Sequence, residues 1–158
     1  MPKILALTKK KSKMNLIKIT FSFFVMLLTL QSSAQNKYLK DIENAKLISK
    51  DVAQLFKENK INEAFMKIKP YWPLPENEID NLESKTIQSM NLVAERYGNS
   101  EEIIKVSEQN IKETAYREIY LVKFENTALR LIFTYYKNKN GWIINGFRWD
   151  DSFTEEFK

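Results

Sequence analysis

The sequence predicts an α+β domain: N-terminal helices packed on a curved antiparallel sheet of about four strands. Three observations predict it. Between Asn36 and Tyr97 apolar residues recur at three- and four-residue spacing, the period of a helix with one buried face. After Gly98 the period falls to two, and β-branched and aromatic residues take over. The helical and extended patterns are segregated rather than alternating, which separates this order from an α/β fold with a parallel sheet.

The first 34 residues carry six lysines (Lys3, Lys9, Lys10, Lys11, Lys13, Lys18) and no acid, then an apolar run from Ile19 to Leu30 and the small-residue end Gln31-Ser32-Ser33-Ala34. This is the layout of a secretory signal peptide, with cleavage expected before Gln35. A spanning helix needs roughly 20 apolar residues, and this run has 12, so an uncleaved anchor is the poorer account. Met14 offers a second start that leaves the same mature chain. The expected division is therefore 1–34, a signal peptide, and 35–158, a single domain that is periplasmic or secreted and has no stable membrane anchor after cleavage.

The leader also explains the charge. The chain has 25 basic and 20 acidic residues, a net charge of +5; without the six leader lysines the balance is 19 to 20. The remaining charges are interspersed, so no basic stripe is left to track phosphates, and nucleic acid is not an expected partner. There is no Cys, which rules out a disulfide scaffold and a lipidated cysteine, and no His, which rules out Ser-His-Asp and Cys-His machinery and the common zinc sites. No glycine-rich phosphate loop or calcium loop is present, and neither a cofactor nor a metal site is expected.

In order along the mature chain, Ile42, Ala45, Ile48, Val52, Leu55 and Phe56 define a first amphipathic helix between Asn36 and Asn59. Ile61, Ala64, Phe65 and Ile68 define a shorter second one, stopped at Pro70, whose ring disfavours a helical conformation at the residue before it. Pro70-Tyr71-Trp72-Pro73-Leu74-Pro75 reads as an extended connector. A third helix starts near Asn77, with Glu76, Glu78 and Asp80 at the positive end of its dipole. Ile79, Leu82, Thr86, Met90, Val93 and Tyr97 form its buried stripe, and Gly98 closes it. Four strands follow, at Glu102–Gln109, Tyr116–Glu125, Ala128–Tyr136 and Trp142–Trp149, the last three as an antiparallel meander with Asn140-Gly141 in a tight turn. Leu129, Leu131, Phe133 and Tyr135 on the third strand, and Ile143, Phe147 and Trp149 on the fourth, are expected to face the helices.

Three stretches carry a family likeness: Asn62-Glu63-Ala64-Phe65 after a longer first helix, Tyr97-Gly98-Asn99 before the strands, and the closing Gly141-Trp142-Ile143-Ile144-Asn145-Gly146-Phe147-Arg148-Trp149. With this element order the chain resembles the NTF2-like (cystatin-like α+β) superfamily, and within it the small exported bacterial domains of unknown function. The resemblance implies helices packed in the hollow of a strongly bent sheet. It implies no single activity, because this fold hosts isomerases, dehydratases and catalytically silent modules.

Ketosteroid-isomerase-type members of that superfamily use an inward carboxylate base, and no convincing equivalent is found here. Asp150 and Asp151 follow the last strand as turn acids, and Glu118, between Tyr116 and Tyr120, reads as a solvent-facing cross-strand charge. No catalytic residue is assigned. The aromatic strands and the connector instead nominate Tyr71, Trp72, Tyr120, Tyr135, Arg148 and Trp149 as lining a ligand pocket at the mouth of the cone. Arg117, Arg130 and Arg148 are further candidates to meet an anionic group. The expected function is a non-enzymatic binding or interaction module holding a small apolar or amphipathic ligand. Two alternatives stand beside it: a homodimeric or partner-binding scaffold acting through the outer sheet face, and an isomerase or hydrolase using a buried carboxylate.

Overall fold

A computed structural model describes residues 37–157, so the predicted signal peptide lies outside the described residues. Among those residues no helix is long and apolar enough to cross a membrane. Three helices, α1 (Ile42–Lys57), α2 (Ile61–Ile68) and α3 (Glu76–Tyr97), pack against a four-stranded antiparallel sheet that does not close into a barrel. Its strands, β1 (Ser100–Ile111), β2 (Ala115–Phe124), β3 (Ala128–Asn138) and β4 (Gly141–Asp150), lie in sequence order. All four therefore form one meander, not only the last three.

The helix ends follow local chemistry. α1 begins at Ile42, later than the apolar pattern, because Asp41 is extended and its carboxylate accepts the Asn44 N–H at 2.8 Å. The residues before it pair elsewhere: Leu39 exchanges backbone hydrogen bonds with Trp142 at 2.8 and 2.9 Å, and Lys37 donates to the Pro70 carbonyl. Asn59, at φ 55°, stops the chain after α1 in the left-handed region. The connector is less extended than expected. Lys69 is helical despite preceding proline, and Lys69–Tyr71 makes a 3₁₀ turn closed by the Trp72 N–H on the Lys69 carbonyl. Burying the Trp72 indole outweighs the local pre-proline preference. α3 starts from Pro75 rather than Asn77, because the Pro75 carbonyl takes the Glu78 and Ile79 amides.

Strand irregularities decide which side chains face the helices. β1 slips register between Ser100 and Glu102 and between Lys105 and Ser107, and β4 between Ile144 and Gly146, where Tyr135 pairs with Ile144 but Thr134 with Gly146. The extra residue, Asn145, reverses the alternation within β4. Phe147 and Trp149 still face inward as expected, but Trp142 and Ile144 are buried with them in place of Ile143, which shares the outer face with Tyr136.

α1 lies across β1, β2 and β3, α2 packs on α1, and α3 on α2. The space between helices and sheet is filled by Phe56, Phe65, Tyr116, Phe133, Tyr135 and Leu131, all fully buried or nearly so. Phe147 is the hub. Its ring stands 5.0 Å from Phe133, 5.5 Å from Phe56, 6.1 Å from Phe65 and 6.3 Å from Trp72, the last three edge-on.

Candidate functional site

The structure separates the six residues nominated from sequence. Trp72, Arg148 and Trp149 come together with Phe65, Leu82, Thr86 and Phe147 around an open cleft of about 190 Å³ at the mouth between α2, α3 and β4. Trp72 reaches it because the 3₁₀ turn folds it inward, and Trp149 because its indole Nε1–H donates to Thr86 Oγ1 at 3.2 Å. Leu82, predicted as a core residue of α3, is instead exposed on the rim. Tyr71 is half-buried beside the core and does not line the cleft.

Tyr120 and Tyr135 lie deeper and are packed. Tyr120 meets Phe133 edge-on at 6.2 Å. Tyr135 Oη donates to the Ala45 carbonyl at 3.1 Å and hydrogen-bonds Ser49 Oγ at 2.8 Å, joining β3 to α1. Burial pushes its phenol above the ordinary value.

Glu118 departs from its expected place. It is 0 % exposed, on the inner face of β2 between Tyr116 and Tyr120 and opposite Phe133. What permits this is Lys105 of β1, whose Nζ stands 2.6 Å from Glu118 Oε1 and 2.5 Å from Glu108 Oε2; Lys46 of α1 continues the chain of charges to Glu108 and Glu43. Burial alone would lower the Lys105 ammonium, but hydrogen bonding to Glu108 and its charge contact with Glu118 outweigh it and hold its pKa above the ordinary value. The Lys105–Glu118 contact is close yet poorly aligned, so neither carboxylate oxygen nor the adjacent Tyr116 hydroxyl completes a hydrogen bond among the described residues. The phenol of Tyr116 is pushed up by burial and by the Glu118 charge. Glu118 thus supplies the inward acid that sequence alone did not identify. It does not line the cleft at the mouth.

Arg130 is also placed differently from the ligand-contacting role considered for it. It is 4 % exposed on the outer face of β3, where Asp150 takes Nε and Nη2 at 3.0 Å each, and Glu155 and Glu156 of the 3₁₀ turn Phe153–Phe157 take Nη1 at 3.1 and 2.7 Å. Its role is to dock the C-terminal turn. Asp150 is correspondingly not a solvated turn acid. Burial would raise its pKa, but Arg130 and the Ser152 amide hold it below the usual carboxylate range. Comparison of the chain with protein-family models, curated proteins and solved structures finds no match.

Proposed function

We propose that the domain is an exported, NTF2-like, non-enzymatic binding module whose site is the cleft at the mouth between α2, α3 and β4. One observation carries this: Trp72 and Trp149, with Phe65 and Phe147, wall an open apolar space that Leu82, Thr86 and Arg148 also line. At about 190 Å³ it is smaller than the roughly 300 Å³ at which drug-sized sites begin. It therefore fits one end of a ligand, a single ring or a short alkyl chain, with the remainder in solvent. An apolar or amphipathic molecule suits it, because aromatic and aliphatic side chains make up most of the lining. The absence of a carboxylate from the lining favours binding over acid–base catalysis.

Tryptophan fluorescence of the full-length protein, titrated with decanoate, tests this. Trp72 and Trp149 line the cleft, whereas Trp142 is buried beside Leu39. A saturable change is expected, and Leu82→Trp, which fills the rim, should abolish ligand protection of the cleft, read as loss of decanoate-dependent stabilisation. A wild-type protein with no saturable response and no decanoate-dependent stabilisation would dismiss the binding site.

A further inference from the structure

We propose a second site, on the sheet face turned away from the helices, that binds a small anion through a carboxylate or phosphate group. Arg117, Thr134 and Gly146 stand side by side on β2, β3 and β4, and in the next outward row Ile132 faces Arg148. With Asn145 and Phe147 they line a depression of about 330 Å³, larger than the mouth cleft. Its depth has a local cause. A Cβ at Gly146 would meet nothing within 4 Å, so the missing side chain leaves open space beside the bulged Asn145.

Two arginines line this depression without a salt bridge. Among the described residues neither Arg117 nor Arg148 has an ion-pair partner, whereas Arg130 on the same face engages three carboxylates. The acid nearest Arg148 in sequence, Asp150, has both carboxylate oxygens taken by Nε and Nη2 of Arg130, and the residue opposite Arg117 on β1 is Gln109. Arg117 and Arg148 are diagonal across β3, which puts their backbones about 12 Å apart from ordinary strand spacing and rise. Two arginine side chains can meet over one ligand across that span. Each guanidinium presents a planar fork of donors that matches carboxylate or phosphate oxygens. An anion between them offsets their mutual repulsion, the Thr134 hydroxyl and the Asn145 amide add hydrogen-bonding groups, and Ile132 offers an apolar floor for a compact body.

Amide chemical shifts of the full-length protein, titrated separately with inorganic phosphate and with acetate at constant ionic strength, test this. Saturable shifts at Thr134, Asn145 and Gly146 are expected with at least one probe. Saturation by phosphate alone identifies a phosphate-bearing ligand, and by acetate alone a carboxylate. Arg117→Gln should weaken binding by about tenfold or more, the loss of one charge-assisted contact of roughly 1.4 kcal/mol or more. Gly146→Val, which fills the depression without touching either charge, should abolish it. The proposal is overturned if neither probe saturates, if sodium chloride produces the same shifts, or if both variants bind like wild type. Arg117 does not line the mouth cleft, so Arg117→Gln should leave the decanoate response intact, and the two sites stand or fall separately.

Discussion

Replacing Lys105 by methionine keeps the apolar stem of the side chain but removes the ammonium 2.6 Å from Glu118 Oε1. Glu118 is 0 % exposed and neither oxygen completes a hydrogen bond, so Lys105 is its one compensating contact among the described residues. Stranding a buried charge in this way costs about 3–5 kcal/mol, a large part of the 5–15 kcal/mol that is typical of a folded domain. The opposite change, Glu118→Met, strands a lysine whose side chain remains 36 % exposed and still touches Glu108 at 2.5 Å. Its loss is therefore about 1 kcal/mol or less, and the added apolar burial offsets part of it. Equilibrium urea unfolding of wild type, both single variants and the double variant at pH 7 measures this asymmetry. At ~1.5 kcal/mol per molar urea, Lys105→Met should lower the midpoint by about 2 M or more, and the double variant should recover most of the loss.

Equal losses in the two single variants, or a Lys105→Met protein within about 1 kcal/mol of wild type, would refute the account of Glu118 as a buried charge held by one cation.

Three further outcomes are expected. Tyr135→Phe removes the hydroxyl shared by Ser49 Oγ and the Ala45 carbonyl and should cost about 1–3 kcal/mol in urea unfolding, part of it recovered by adding Ser49→Ala. Gly141→Ala should destabilise by more than about 1 kcal/mol and speed hydrogen exchange at the Leu39 amide. The backbone there is at φ +139° and the new Cβ would lie 2.8 Å from the Leu39 carbonyl. Asp150, whose folded carboxyl is held below its ordinary value, contributes stability that is fully present above its unfolded pKa near 3.9 and is lost as pH falls through the lower folded value. The Ser152 amide signal should accordingly move below pH 4, and Arg130→Met should release the C-terminal turn already at pH 7.

Much of the architecture was legible in the sequence because helix and strand periods are local quantities. Ile42 to Phe56 and Leu129 to Tyr135 carry their own patterns, and Gly98 marks where one period gives way to the other. The bulge at Asn145 was not legible. Counting by twos from Phe147 and Trp149 puts Ile143 inside, and only pairing with β3 shows that an extra residue reverses the alternation. The local preference before Pro70 likewise yielded to the burial of Trp72.

The same division holds for the candidate sites. Trp72, Arg148 and Trp149 were legible as aromatic and cationic groups near one end of the fold, whereas Tyr120 and Tyr135, of the same chemical type, are core because α1 covers them. Alternation had already put Glu118 on the face of Tyr116 and Tyr120. What it lacked was the cation. A carboxylate enters a core only when an opposite charge is brought to it, and Lys105 arrives from a neighbouring strand through a register slip in β1. By itself, then, the sequence determined the kinds and order of elements and the face each residue prefers, since these depend on neighbours along the chain. Which charges are neutralised and which, like Arg117 and Arg148, are left facing open space was decided by the tertiary structure, because electrostatic compensation depends on neighbours across it.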